Sequence, residues 1–241
     1  MLKTIIIYIW AVLATAVIGA ISAGLSFLDK TGNKSHLGGR IWGESIIDVS
    51  GITVKVNGMH NITPGKSYIY MPNHQSNFDI PILMARLKVQ FRWLAKAELF
   101  HIPFFGFVIK SIGCISIDRS NREKAIKSLK QAAETIRNGT SVVIFPEGTR
   151  SKDGSILPFK KGGIMLSITA GIPIIPVVIT GTNQIMPKNK LNIKPGPVVI
   201  DILEPVETAS YTGRNKEELI SLIRNRMTEV HNKRSRELKS C

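Results

Sequence analysis

From Thr4 to Leu28 the sequence reads TIIIYIWAVLATAVIGAISAGLSFL, without a charged residue, between Lys3 and the pair Asp29-Lys30. A helix that crosses a bilayer needs about 20 predominantly apolar residues, so this run is long enough to hold the chain in a membrane. A cleavable signal peptide fits less well, because the apolar core is too long and a single Lys precedes it. Membrane attachment is also preferred over burial as a core helix. Gly19, Ser22 and Gly24 could divide the run into two shorter helices lying in one leaflet, so crossing and dipping both stay open. Lys30, Lys34 and Arg40 follow the run, against Lys3 before it. That asymmetry places the remainder on the cytoplasmic side of the cell inner or cytoplasmic membrane. Residues 1–29 are therefore read as a membrane-anchoring helical segment, the Gly-rich polar stretch 30–45 as a linker, and 46–241 as one domain.

The 241 residues suffice for a sizeable core without staples. A formal net charge of +15 favours anionic partners such as acidic lipid, phosphorylated substrates or nucleic acid. Nucleic acid is set aside, since neither aromatic-basic interleaving nor zinc-finger spacing is present. Two cysteines, Cys114 and Cys241, give no disulfide framework and point to a reducing compartment. The histidines at 36, 60, 74, 101 and 231 form no pair at zinc-ligand spacing, so no metal is expected.

Beyond residue 46, strand-like and helix-like segments alternate. Strands are expected at 47–56, in YIYM, in FRWLA (91–95), in SIGCISIDR (111–119), and in the apolar runs 141–145, 173–179 and 197–203. Helices are expected from Pro81, from the Ser120/Glu123 capping box through Ile136, from about Gly162, and from Lys216 to about Arg236. This alternation predicts an α/β fold, a mixed sheet flanked by helices.

Chemistry concentrates in two places. In MPNHQSNFD (71–79) an imidazole and a carboxylate stand five residues apart where a strand gives way to a helix. Pro81 suits the first turn of that helix, leaving Asp79 just ahead of it and free to reach back to His74. A carboxylate on Nδ1 would fix the tautomer and leave Nε2 as a proton acceptor, half of a catalytic triad. No Gly-x-Ser-x-Gly elbow accompanies the pair, and Cys114 sits in an apolar strand, so the nucleophile would come from the substrate. The alternative is that His74 and Asp79 only stitch a strand–helix turn. The second place is FPEGTRSKDGSILPFKKG (145–162), which leaves an apolar strand with Glu147, Gly148, Thr149 and Arg150, where open α/β sheets bind ligands. Arg150 offers a planar fork for phosphate, Gly148 lets backbone approach closely, and Lys160 and Lys161 add charge. A solvated basic loop is the plainer account of this segment.

Four segments occur in order: Asn73-His74-x-x-x-x-Asp79; Gly113-x-Ile115-x-Ile117-Asp118-Arg119; Phe145-Pro146-Glu147-Gly148-Thr149-Arg150-Ser151; and Ile172-Pro173-Ile174-Ile175-Pro176-Val177. Together they resemble the sequence blocks of the glycerolipid acyltransferases, and most of all the bacterial 1-acylglycerol-3-phosphate acyltransferases. The resemblance covers roughly residues 50–205. It implies acyl transfer from a thioester, on coenzyme A or acyl carrier protein, to the sn-2 hydroxyl of lysophosphatidate, giving phosphatidic acid for phospholipid biosynthesis. Transfer to glycerol 3-phosphate or another lysophospholipid is the nearest alternative. The resemblance further implies His74 as general base, Asp79 as its orienting partner, and a glycerol-phosphate site at Arg119, Glu147, Gly148, Thr149 and Arg150. Lys96, in LAKAEL, would lie near the reacting centre. No metal or redox cofactor is implied; membrane lipids and the thioester carrier are the implied partners. Ser116 departs from the larger apolar or aromatic residue common in the second block. FHIPFFGFVI (100–109) is a candidate lining for an acyl groove, with plain core packing as its equal alternative, and the closing basic helix is expected to be a solvated face in preference to one lying on acidic lipid.

Overall fold

The computed structural model describes residues 1–29, 31–118 and 120–239; Arg119 and Cys241 lie outside them. Two long helices, α1 (Leu2–Leu25) and α2 (Asn33–Ser50), lead into β1 (Ile52–Asn57), β2 (Ile69–Pro72), α3 (Asp79–Arg86) and β3 (Arg92–Lys96). Then follow α4 (Phe105–Ser111), β4 (Ile115–Ile117), α5 (Arg122–Arg137), β5 (Val142–Val143), α6 (Lys161–Ala170) and β6 (Ile174–Thr180). A short α7 (Thr182–Ile185), β7 (Gly196–Ile202) and the long α8 (Lys216–Glu237) close the chain.

The strands form one seven-stranded sheet in the order β1-β7-β6-β2-β5-β3-β4, with β6 and β7 antiparallel and every other neighbouring pair parallel. Alternate residues of a strand point to opposite faces, and the core divides accordingly. Tyr70, Val143, Ile175 and Val177 pack with Ile46, Ile47, Ile82 and Leu83 of α2 and α3 on one face. Ile69, Met71, Val142 and Ile174 pack with Ala132, Ile136, Ile164 and Ile223 of α5, α6 and α8 on the other. With both faces covered, β6 is buried along its whole length, as the near-continuous apolar run 173–179 requires.

The expected linker is a helix. Residues 33–50 form α2, which displaces both the 30–45 linker and the first part of the 47–56 strand; β1 begins only at Ile52, after Gly51 ends the helix at φ +68°. The glycines that read as flexible are contact points. A Cβ at Gly38 would collide with Ser22 Oγ, and one at Gly43 would meet the Pro81 carbonyl. Each helical glycine costs about 0.5–1 kcal/mol relative to alanine. Full burial of Ile47 and near-full burial of Ile46, each worth about 1.5–3 kcal/mol, outweighs that. Helix α1 is continuous through Gly19, Ser22 and Gly24 rather than divided, and lies back along the domain. Trp42 Nε1 donates to Thr15 Oγ1 (3.0 Å), Ser35 Oγ to the Ser22 carbonyl (2.7 Å), and Tyr8 OH to the Leu191 carbonyl (3.1 Å).

Smaller differences concern element ends. Helix α5 is capped by Asn121, whose side chain accepts from the Lys124 N–H (2.8 Å), so Ser120 does not serve as the cap. The expected strand 111–119 shrinks to Ile115–Ile117, because Ser111 still belongs to α4.

Candidate active site

Parallel pairing decides where the site lies. Strands β6, β2, β5, β3 and β4 all run the same way, so the loops that leave their carboxyl ends open on one edge of the sheet. That edge receives residues 73–79 after β2, residues 145–157 after β5, Lys96 at the end of β3, and the segment after β6 that carries Lys188.

The 73–79 turn is built by side chains that replace lost backbone pairing. Asn73 continues the β2–β6 ladder: its amide donates to the Ile179 carbonyl (2.9 Å), and its Oδ1 accepts from the Ile179 N–H (2.7 Å). Ser76 Oγ, fully buried, donates to the Met186 carbonyl (2.8 Å). Asp79 is the first residue of α3 rather than the one before it, and Pro81 occupies the third position. The helix amide dipoles favour a carboxylate there. Asp79 Oδ2 takes three donors: His74 Nδ1 (2.7 Å), Gln75 N–H (2.7 Å) and Ser76 N–H (2.9 Å). Because the other two donors are backbone amides, the carboxylate stays an acceptor, His74 Nδ1 carries the proton, and Nε2 keeps its lone pair. The imidazole stacks on Phe145 (3.8 Å between centroids, 16°), which stacks in turn near Trp93 (5.6 Å). His74 retains 15% side-chain exposure while Asp79 has none. The ring is thus fixed and its free nitrogen accessible.

The second loop is clamped to the first. Glu147, 2% exposed, accepts from the His74 N–H through Oε1 (2.8 Å) and from the Leu157 N–H through Oε2 (3.0 Å). Ser151 N–H donates to the His74 carbonyl (2.8 Å). Desolvation lifts the Glu147 carboxyl from its usual 4.5 to about 7, against the two backbone donors that favour its charged form. Glu147 was expected at the glycerol-phosphate site; in the structure each of its oxygens accepts a backbone N–H, so it ties the His74 loop to the segment at Leu157. Gly148 (φ +69°) and Thr149 are exposed on the loop's outer turn. Arg150 is half-buried, and among the described residues no carboxylate pairs with its guanidinium. Lys188 donates to Thr149 Oγ1 (3.0 Å) and to the Arg150 carbonyl (2.8 Å), bringing a second cation to the loop that the sequence did not single out. Only its position soon after the fourth block could have pointed to it. Lys96 reaches the same edge, paired with Glu98 (2.8 Å) but 61% exposed.

Beneath His74 opens a cavity of about 700 Å³. His74, Lys96 and Gly148 stand at its polar part; Ala11, Trp42, Phe78, Met84 and Ile109 are among the apolar lining. Phe105, Val108 and Ile109 line it as the 100–109 segment was expected to do. Residues of α1 from Ile7 to Ser22 form part of the wall, so this apolar helix itself builds the site, which hydropathy alone did not show. Cys114 also touches the cavity, but burial pushes its thiol up to about 12, so it does not supply a thiolate.

The arrangement supports proton transfer by an oriented imidazole at the mouth of an apolar chamber, beside a cationic loop. An acyltransferase family model matches residues 53–180. A 1-acyl-sn-glycerol-3-phosphate acyltransferase of Limnanthes douglasii is 34% identical over 189 residues, covering 78% of this chain and 66% of that protein. One of Haemophilus influenzae is 37% identical over 155 residues, covering 63% of this chain and 62% of that protein. The chain thus spans slightly under two thirds of the length of these relatives. The crystal structure of the 1-acyl-sn-glycerophosphate acyltransferase PlsC from Thermotoga maritima superposes with a TM-score of 0.82 at 30% identity, covering 100% of this chain and 96% of that one. Sequence blocks, sheet topology and site geometry converge with these matches: the chain belongs to the acyltransferase family.

Proposed function

We propose that this chain transfers a fatty acyl group from an acyl thioester to the sn-2 hydroxyl of 1-acylglycerol 3-phosphate, giving phosphatidic acid. The observation that carries the reading is the 2.7 Å His74–Asp79 contact at the mouth of the apolar cavity, on the sheet edge that also presents Arg150 and Lys188. His74 Nε2 removes the hydroxyl proton as the oxygen attacks the thioester carbonyl carbon, forming the new C–O bond. The tetrahedral intermediate collapses with C–S cleavage, and the imidazolium returns its proton to the departing thiolate. Asp79 holds the ring and stabilises its transient charge. Arg150 and Lys188 offer donors to the phosphate, and Lys96 is among the residues that line the cavity. A cavity of this size lies within the usual range for small-molecule sites, and its apolar wall suits an acyl tail. The donor is a thioester of coenzyme A or of acyl carrier protein.

The same reading extends to location. Helix α1 buries one side against the domain and exposes Ile5, Ile9, Val12, Leu13, Val17 and Ile21 on the other. Phe104 lies against α1 at Gly19, and it and Phe107 are also exposed. A helix tied to the domain at Thr4, Tyr8, Thr15 and Ser22 would lose those contacts by crossing a bilayer alone. It lies instead in one leaflet, on the cytoplasmic side where thioester donors are made.

Incubating the purified protein with lysophosphatidate and acyl thioesters, with product masses read by mass spectrometry, tests the proposal. Phosphatidate formed by the wild type and absent with His74→Ala supports it. Thiol release that does not depend on the acceptor would show a thioesterase instead.

A further inference from the structure

Residue Gln75, beside the proposed base, makes contacts that the acyl-transfer chemistry above does not use. Its side chain is 2% exposed, and its Nε2 lies within hydrogen-bonding distance of both the Gly154 carbonyl and His231 Nε2, the latter at 2.7 Å. The orientation of the amide is forced. Turned over, its oxygen would face the Gly154 carbonyl, and two acceptors repel. The nitrogen therefore faces Gly154, and its second hydrogen points at His231. An N···N contact needs an acceptor, so His231 Nε2 carries a lone pair and the proton resides on Nδ1. His231 is on α8, is 8% exposed, and burial holds its pKa below the usual 6.5.

We propose that His231 is a positioning residue for the reaction: as the neutral, Nδ1-protonated imidazole it anchors the Gln75 amide and so holds the 73–79 and 151–154 loops in register. The link to the reacting group is short. The backbone N–H of Gln75 donates to the same Asp79 oxygen that orients His74. Gly154 N–H donates to Ser151 Oγ (3.1 Å), and Ser151 N–H donates to the His74 carbonyl (2.8 Å). Helix α8 grips the second loop at another point as well, where Arg224 donates to the Ile156 (3.1 Å) and Leu157 (3.3 Å) carbonyls. The closing helix, expected from sequence to be a solvated basic face, thus reaches both loops, through the buried His231 and the half-buried Arg224.

The inference takes its kinetic readout from the acyl-transfer reading. With lysophosphatidate and an acyl-CoA donor, His231→Leu lowers kcat roughly ten- to a hundred-fold, since displacements of about 1 Å cost that much, with KM for both substrates held within twofold. His231→Gln, whose Oε1 can accept from Gln75, recovers most of kcat. A purely structural histidine would instead lose melting temperature in both variants without separating kcat from KM. Full kcat in His231→Leu, or no recovery in a folded His231→Gln, overturns the proposal. A second measurement needs neither turnover nor a variant. The ¹⁵N spectrum of the imidazoles at neutral pH should show His231 with an unprotonated Nε2; a protonated Nε2 refutes the assignment. Absence of any turnover by the wild type would sink the substrate reading, while the tautomer would still be decided by that spectrum.

Discussion

The two halves of the site are held by different forces. At the polar edge, His74, Gln75, Ser76, Asp79, Glu147 and Ser151 are joined by hydrogen bonds of 2.7 to 2.9 Å that fix direction as well as distance. Along the cavity, α1, α2 and α4 meet through apolar side chains, close-approaching glycines and a few isolated polar ties such as Trp42–Thr15. Directional bonds suit a group that must present one nitrogen to one proton. Nondirectional packing suits a chamber that only has to exclude water from hydrocarbon. The difference predicts that substitutions at the edge act on kcat, while those along the wall act on which substrates fit or on stability.

His74→Ala breaks the comparison hardest: loss of the base should cost roughly a hundred- to ten-thousand-fold in kcat while the melting temperature stays within a degree or two. Comparable loss of folding would mean that His74 belongs to the scaffold. Next is Glu147→Gln, which leaves one acceptor oxygen for two backbone donors. We expect kcat about ten- to a hundred-fold lower, on the scale of a displaced catalytic group. Its pH signature has a definite sign. The carboxyl binds its proton more tightly in the folded chain, at about 7, than at the usual 4.5. Its contribution therefore favours folding below pH 4.5 and is lost as pH rises through about 7. Melting curves across that window should show a fall in wild-type stability that Glu147→Gln lacks.

Arg150→Ala sharpens the contrast within the edge, since a phosphate partner is present in ground and transition states alike. KM for lysophosphatidate should rise about tenfold, the scale of a hydrogen bond to a charged group, with kcat little changed; an unaltered KM would remove the phosphate assignment. On the wall, Ala11→Phe should lower kcat/KM for long-chain substrates several-fold and spare short ones. Equal loss for all lengths would show that the tail lies elsewhere. Ser35→Ala is the mildest, about 1 kcal/mol of stability for one tie between α1 and α2 with unchanged kinetics, read by chemical denaturation.

Much of this was legible in the chain because the relevant signals are local. Apolar runs at 141–145, 173–179 and 197–203 became strands β5, β6 and β7 of one sheet, and Pro81 marked the first turn of the helix that carries Asp79. The 30–45 stretch misled because glycine has the same composition in a linker as in a helix interface; only Ser22 and Pro81, distant in sequence, reveal which. The clamp that Glu147 forms was missed for a related reason. Its neighbours in sequence are a loop, whereas its partners are the amides of His74 and Leu157. Lys188 and His231 escaped because their contacts span 38 and 156 residues of chain, and no spacing rule covers such separations.

One wall of the cavity is α1, the same helix whose outer face is apolar and exposed. On the one-leaflet reading, a lipid therefore need not be hauled through water to be acylated. It slides sideways past a single thickness of α-helix, keeping each methylene in an oily medium and avoiding a penalty of about 0.8 kcal/mol apiece. Removal of α1 would leave the His74 edge chemically complete yet open to the aqueous phase, a doorway without its corridor.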